Sequence, residues 1–544
     1  LVQAAREVAR HCALTVPQRK WGKLTYRECD FEALNRETNA VALYLQSRGV
    51  VRGQRVLMMV RPGWDLIAVV FALFKLGAVP IVIDPGMGLK SFRACVAQSH
   101  PETLIGIRRA TWVARVFKQD FSSVQKILTV GSCEYNRGVH RYRSCAEVFQ
   151  LADTHAEELA AILFTSGSTG SPKGVCYTHG VFEAQLKAIR DCYRIEPGAI
   201  DLPMLPVFAL FNPAFGATTV VPEMNPSRPA SVNPARIVAA VERYQVSTSF
   251  GAPILWGKVA RYCLDHQIQL PSLKRLIMAG ATVSPEVIRD LRSVLPNCEI
   301  HTPYGATECL PISSISGAEI LETTAKATLN GWGSCVGTVL EGMQVRIIAI
   351  RDEAWEEQAF PESLPAGEIG EIIVSGPVAT QQYDELPEAT RLAKIVDDSG
   401  NVWHRMGDLG YLDINGKLWF CGRKVERVQV AKSVLYTDCC EAIFNQDSEV
   451  FRSALIGLRH PHNGNVEPAI VIEPESGFFP KTKAHKKAFI DRMGSLAQSH
   501  AHTQSITHFL FFKKFPVDVR HNAKIHRLSL AKYFQSKWDS GVLE

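Results

Sequence analysis

Hydrophobic and polar positions alternate along this chain with two periods. From Phe31 to Gln46 the apolar residues recur three and four apart, the spacing of an amphipathic helix, and Arg55–Val60 follows as a short apolar strand. Leu66–Leu76 is apolar on nearly every side, as a buried helix is, and Pro80–Ile83 is a second strand. The alternation returns at Arg236–Tyr244 (helix), Ser247–Phe250 (strand), Pro253–His266 (helix) and Leu273–Met278 (strand). Repeated strand–helix–strand units predict a mostly parallel sheet with helices on both faces. The expected fold class is α/β, with two such layered subdomains and a strand-rich, β-barrel-like part from Gly337 to Val374.

Length extends this picture. At 544 residues the chain exceeds one ordinary core, so further domains are expected. A boundary is predicted at Gly422-Arg423-Lys424, giving a large region over 1–422 and a small α+β unit over 423–544. The longest apolar run, Leu66–Phe74, is too short to span a bilayer. Leu1–Trp21 holds no signal-peptide core, and a chain without an initiator Met reads as trimmed. Fourteen cysteines without a C-x-x-C pair speak against a zinc site and for a reducing, cytoplasmic setting with most thiols buried.

Charge is mildly positive and uneven: from Pro480 to the end there are 12 Lys/Arg against 4 Asp/Glu. No aromatic–basic module accompanies this excess, so no nucleic acid is expected as a partner. A solvated face is the plain reading, and contact with an acidic partner or a peripheral contact with an anionic membrane is the alternative.

The candidate chemistry starts at Leu163-Phe164-Thr165-Ser166-Gly167-Ser168-Thr169-Gly170-Ser171-Pro172-Lys173-Gly174. Five hydroxyls, three glycines and a lysine follow an apolar run, which suits a loop that turns N–H groups and hydroxyls toward a polyphosphate. The NTPase P-loop pattern fails here, because Pro172 stands at its second glycine and Gly174 at its Mg²⁺-binding hydroxyl. Downstream come Thr302-Pro303-Tyr304-Gly305-Ala306-Thr307-Glu308, Gly367-Glu368-Ile369-Gly370-Glu371-Ile372, Arg405-Met406-Gly407-Asp408, Gly422-Arg423 and Ala523-Lys524-Ile525.

In this order the motifs resemble those of the adenylate-forming superfamily of acyl-CoA synthetases, peptide-synthetase adenylation domains and luciferases. The resemblance runs from Leu24-Thr25-Tyr26 to Ile525, nearly the whole chain. It implies ATP and Mg²⁺ as cofactors, a mobile C-terminal lid, and activation of a carboxylate as its acyl-adenylate. It assigns Lys524, Glu308 and Thr165 to catalysis and Glu308 to the metal. Thr165, Ser166, Gly167, Ser168, Thr169, Gly170 and Lys173 would hold the phosphates. Gly280, Ala281, Tyr304, Gly305, Ala306, Thr307, Asp408 and Arg423 would hold the nucleoside and α-phosphate.

Three positions depart from the usual synthetase pattern. Pro206 takes a place often held by His, Val425 takes the hinge position, and Gln429-Val430-Ala431-Lys432-Ser433 replaces a glycine-containing turn. Together they speak against thioester formation on CoA or a carrier protein. The run Pro206–Gly216, with Val82–Gly88, closely resembles the β-lactone synthetases of bacterial head-to-head olefin biosynthesis. That resemblance implies a 2-alkyl-3-hydroxy fatty acid whose own hydroxyl attacks the acyl-adenylate, and a possible complex with other enzymes of the olefin pathway. Phe208, Phe211, Phe215, Phe250, Gly251 and Trp256 are candidates to line the alkyl site, with ordinary core packing as the alternative for each aromatic. His179 and His301 are candidates to take the hydroxyl proton, with a satisfied structural histidine as the alternative for each. The alternatives to lactone formation are a long-chain fatty acyl-CoA or acyl-AMP ligase, or a nucleotide binder without chemistry.

Overall fold

The computed structural model describes the chain except residues 21–22, 147–148, 166–171, 226–227, 356–358, 432, 518–524 and 542–544. The predicted strand–helix alternation is present. The helices Phe31–Ser47 and Trp64–Leu76 flank a six-stranded sheet ordered Lys126–Thr129, Thr103–Gly106, Arg55–Met59, Val79–Val82, Leu159–Thr165, Lys173–Thr178. The first five strands are parallel, and the last returns antiparallel. Strand period decides the layering. Val56 and Met58 pack with Leu45, Val69 and Leu73 on one face, while Leu57 packs with Ile81, Phe92 and Val96 on the other. Both faces are covered, which is why these strands read as continuous apolar runs.

The second layered unit repeats the logic. Thr248–Gly251, Arg275–Met278 and Glu299–Ala306 run parallel. Leu276 and Met278 face a core shared with Val241, Trp256, Val259, Ile288 and Leu291. Ile277 faces Tyr193, Ile195 and Phe215 on the opposite side. Trp256 is 0 % exposed and belongs to that core.

The strand-rich part is an open continuation of this second sheet, which reaches fourteen strands and does not close on itself among the described residues. The link is Cys309–Ser316 paired with Ser334–Val339, which in turn pairs with Leu418–Arg423. The Gly-Glu-Ile-Gly-Glu motif has a structural role here. Glu371 is 0 % exposed and accepts from Arg405 Nη2 at 2.6 Å and from Lys424 Nζ at 2.8 Å. A carboxylate so far from water persists because both its oxygens are engaged by cations.

Beyond Val428 a three-stranded sheet, Val450–Arg459, Val466–Pro474 and His508–Phe511, carries its own cores. Leu455, Ile470 and Ile472 pack on Phe489 and Met493 of the helix Lys483–Gln498. Ile456, Leu458 and Val471 pack on Leu530 and Phe534 of the helix Arg527–Asp539. This unit meets the large region closely at Gly422 (φ +133°), where an added Cβ would lie 2.2 Å from Thr437 Oγ1. No helix is long and apolar enough to cross a membrane among the described residues.

Candidate active site

The site is built at strand ends. Leu159–Thr165 and Lys173–Thr178 form a hairpin in which Thr165 pairs with Lys173, so the two ends of the glycine-rich loop are held side by side. Ser166, Gly167, Ser168, Thr169 and Gly170 lie outside the described residues, as does Lys524. Val517 and Ile525, which bracket the segment carrying Lys524, are bridged to each other.

A second hairpin joins Glu299–Ala306 to Cys309–Ser316. Ala306 pairs with Cys309, which leaves Thr307-Glu308 as the two-residue turn. Gly305 permits this hairpin: an added Cβ would lie 2.7 Å from Cys309 O and 2.7 Å from Leu310 Cβ. The turn is pinned from several sides. Tyr177 Oη donates to Thr307 O. Thr380 donates to Glu308 O from its backbone N and from Oγ1, each at 2.9 Å. Lys394, buried, donates to Thr380 O.

The Glu308 side chain is fixed separately. Tyr383 Oη donates to Glu308 Oε1 at 2.9 Å, and Lys173 Nζ stands 4.9 Å from the centre of the Tyr383 ring. Burial lowers the Lys173 ammonium below its ordinary value, and Glu308 opposes that shift. Burial likewise brings Lys394 down to about 8, again opposed by Glu308. The structure therefore joins the end of the glycine-rich loop to the Thr-Glu turn, a carboxylate facing two cations. Thr380, Tyr383 and Lys394 carry no motif of their own; the one signal in sequence is a lysine between apolar neighbours at Ala393 and Ile395.

A third cluster adjoins the second through Tyr304. Asp408 and Arg423 sit opposite each other on paired strands. Arg423 Nη1 donates to Asp408 Oδ1, and Tyr304 Oη donates to Oδ2 at 2.7 Å. Asp408 is 3 % exposed. The Asp408 charge raises the Arg423 pKa further above its ordinary value, so the cation is permanent. Burial, and then Asp408, push the Tyr304 phenol well up, so it acts only as a neutral donor. Gly280 and Ala281 follow the strand Arg275–Met278 at its C-terminal end, with Gly280 at φ +93°. In open α/β sheets that edge is where ligands bind.

Tyr304 and Gly305 also line an apolar cavity of about 80 Å³, together with Phe208, Phe211, Phe215 and Phe250. Phe208 stacks on Phe250 with ring centres 3.6 Å apart, forming part of the cavity wall. Gly251 follows Phe250 but is packed on Trp256, whose Cδ1 would lie 3.0 Å from an added Cβ. Trp256, His179 and His301 are not among the residues lining the cavity. His179 instead starts the helix His179–Tyr193, and burial lowers its pKa. His301 packs against Tyr193 with ring centres 5.2 Å apart. The cavity wall holds one acid, Asp201, whose Oδ2 accepts from Asn212 Nδ2 at 2.7 Å.

The donor set suits a nucleotide and a divalent cation. Asp408 has two oxygens held in fixed directions by donors, and carboxylate oxygens retain further lone pairs for ribose hydroxyls. Glu308 has Oε1 held by Tyr383, and an oxygen-donor carboxylate beside a hydroxyl-bearing turn suits Mg²⁺.

Comparison with known proteins decides the family. Residues 2–384 match the AMP-binding enzyme family. The chain belongs to that family. It is 42 % identical to the olefin β-lactone synthetase of Xanthomonas campestris pv. campestris, over 92 % of this chain and 90 % of that protein. It is 40 % identical to the olefin β-lactone synthetase of Stenotrophomonas maltophilia, over 100 % of this chain and 98 % of that one. Among solved structures, the amide bond synthetase McbA of Marinactinospora thermotolerans superposes with a TM-score of 0.79 at 21 % identity, over 98 % of this chain and 99 % of that one. ATP-bound MatB of Rhodopseudomonas palustris gives 0.78 at 19 %, with the same coverage. At these identities the two structures speak for the fold alone.

Proposed function

We propose that the chain is an ATP-dependent β-lactone synthetase acting on 2-alkyl-3-hydroxy fatty acids in olefin biosynthesis. The observation that carries this reading is near-full-length identity of 40–42 % to two olefin β-lactone synthetases. The joined Glu308, Asp408 and cavity clusters supply the matching equipment.

In the first step a carboxylate oxygen attacks the α-phosphorus of ATP, and pyrophosphate leaves. Two anions must approach, so cationic and donor groups carry the catalysis. Lys173 and the hydroxyls of Thr165, Ser166, Ser168 and Thr169 hold the departing phosphates, with Gly167 and Gly170 allowing close approach. Asp408 accepts from the ribose hydroxyls, with Arg423 and Tyr304 fixing its orientation. Gly280, Ala281, Gly305 and Ala306 border the nucleoside, and Thr307 meets the α-phosphate. Lys524 brings its charge to the carboxylate and α-phosphate. Mg²⁺ held at Glu308 would neutralise phosphate charge.

In the second step the 3-hydroxyl oxygen attacks the acyl carbon, the bond from that carbon to the AMP oxygen breaks, and the hydroxyl proton is lost. The nucleophile is tethered to the electrophile, so proximity supplies much of the rate and no second-substrate tunnel is needed. That fits the sequence between the paired strands Val428–Val430 and Ser433–Leu435, which carries no glycine where the usual synthetase pattern has a glycine-containing turn.

The unit from residue 423 onward is the lid that carries Lys524, and the enzyme acts in the cytoplasm beside other olefin-pathway enzymes. Incubation with ATP, Mg²⁺ and a 2-alkyl-3-hydroxy acid, with and without CoA, tests the reading. β-Lactone and AMP are expected without CoA; a thioester formed only when CoA is present would overturn it.

A further inference from the structure

One end of the C-terminal three-stranded sheet lies outside the machinery described above. There the strand Val466–Pro474 runs out beside the start of Val450–Arg459: Val450 pairs with Pro474, and Glu475 N donates to Glu449 O at 2.8 Å. The parallel strand His508–Phe511 ends at the same side, with Phe512 N donating to Ile472 O at 2.9 Å. Three phenylalanines stand out into solvent at this end: Phe451 at 46 %, Phe478 at 42 % and Phe479 at 39 % exposure. Lys481, Lys483, Lys486 and Lys487 follow directly, and Lys513 and Lys514 extend from the neighbouring strand, all six exposed.

Two features set this face apart from an ordinary solvated one. Lys481, Lys483, Lys486 and Lys487 make no ion pair among the described residues, while the nearby Asp447 and Glu449 are already engaged by Arg492 at 2.9 and 2.6 Å. Exposed acids nearby are Glu475 at this end and Asp491, one turn beyond Lys487 on the helix, and neither is ion-paired to these lysines among the described residues. Moreover, Lys483, Lys486 and Lys487 crowd the first turns of the helix Lys483–Gln498, which has no acidic residue in its first turn. Cations at the positive end of a helix oppose its dipole, so this placement works against local stability.

We propose that this end of the C-terminal unit docks on an anionic lipid surface, with Phe478, Phe479 and Phe451 at the acyl–headgroup boundary and the lysines over the phosphates. Exposed Phe beside uncompensated Lys is the composition of interfacial membrane contacts. Lysine is depleted in the cores of protein–protein interfaces, which argues against an acidic protein as the occupant. The proposal stands on these residues and does not depend on lactone formation; a long-chain lipid substrate would give it a purpose.

The test uses the full chain in flotation with phosphatidylglycerol–phosphatidylethanolamine vesicles and with phosphatidylcholine vesicles. Binding to the anionic vesicles alone is expected, weakened by salt. Phe478→Ala/Phe479→Ala should abolish it, and Lys483→Glu, Lys486→Glu and Lys487→Glu should each weaken it by about fivefold or more. Unchanged thermal unfolding of these variants separates loss of docking from misfolding. Absence of flotation, equal flotation with phosphatidylcholine, or wild-type flotation of the variants would overturn the proposal. So would binding to polyglutamate without binding to vesicles, or a wild-type dimer that the phenylalanine variants abolish.

Discussion

Tyr383→Phe removes a single hydroxyl and is the sharpest probe of how Glu308 is held. The ring is 6 % exposed, and its Oη donates to Glu308 Oε1 at 2.9 Å. A hydrogen bond to a charged group contributes roughly 1.5–3 kcal/mol. Glu308 is only half-buried, so water partly replaces the lost donor, and about 1–2 kcal/mol is the expected net loss. That converts to a fall of about 5–30-fold in kcat/KM for Mg²⁺-ATP. On the proposed role of Glu308 as the Mg²⁺ carboxylate, the change should appear as a raised Mg²⁺ requirement in ATP–pyrophosphate exchange, with the thermal midpoint nearly unmoved. Tyr383→Leu also removes the ring under Lys173, 4.9 Å away, and with it a cation–π contact of about 0.5–1 kcal/mol, so its exchange rate should be lower still. Exchange by Tyr383→Phe that matches wild type at every Mg²⁺ concentration would refute this reasoning. A loss that tracks a falling thermal midpoint would make Tyr383 merely structural.

Three further outcomes follow from the same geometry. Lys524→Ala should abolish adenylation while ATP binding persists in equilibrium dialysis; unchanged ATP–pyrophosphate exchange would remove Lys524 from the reaction. Phe208→Ala should break the 3.6 Å stack on Phe250 and open the cavity of about 80 Å³ toward the roughly 300–1,000 Å³ usual for ligand sites, lowering KM for the bulkiest alkyl groups several-fold. An unaltered KM across chain lengths would place the alkyl groups elsewhere. Burial raises the Asp201 pKa in the fold to about 7 from an ordinary 3.8, against an opposing hydrogen bond from Asn212. The stability gained by holding this proton is full below the unfolded value and is lost as pH rises through about 7. Asp201→Asn keeps the shape without the titration. Its thermal-midpoint advantage over wild type should therefore widen from pH 4 to pH 7 and level off above, whereas parallel curves would contradict a buried, proton-holding Asp201.

Periodicity carried most of the architecture. The apolar spacing of Phe31–Gln46 and the solid apolar run Leu66–Leu76 correspond to the helices Phe31–Ser47 and Trp64–Leu76, because both patterns depend on local geometry alone. Sheet order is different, since it depends on which edges meet. The strand-rich part expected as barrel-like continues the second sheet through Ser313 paired with Val339, a contact between residues with no local signature. Trp256 illustrates a similar limit. A helix period shows that Pro253–Asp265 has an apolar face, but not whether that face meets a cavity or two other helices; it meets the helices. The turn Thr307-Glu308 is picked out by the resemblance of the motif Thr302–Glu308 to that of the adenylate-forming enzymes, and its proposed chemistry rests on that resemblance. Its supports, Thr380, Tyr383 and Lys394, come from a stretch more than seventy residues downstream, and only the fold brings them to it.

Which oxygen attacks which centre distinguishes carboxylate activation from activation of the hydroxyl. A 2-alkyl-3-hydroxy acid labelled with ¹⁸O in both carboxylate oxygens, turned over with ATP and Mg²⁺ in the absence of CoA, reports this by mass spectrometry of the products. Carboxylate adenylation followed by attack of the 3-hydroxyl predicts one ¹⁸O in AMP, one in the lactone carbonyl, and an unlabelled ring oxygen. Unlabelled AMP with both ¹⁸O atoms in the lactone would mean that the hydroxyl is activated instead, and would contradict the account at its centre.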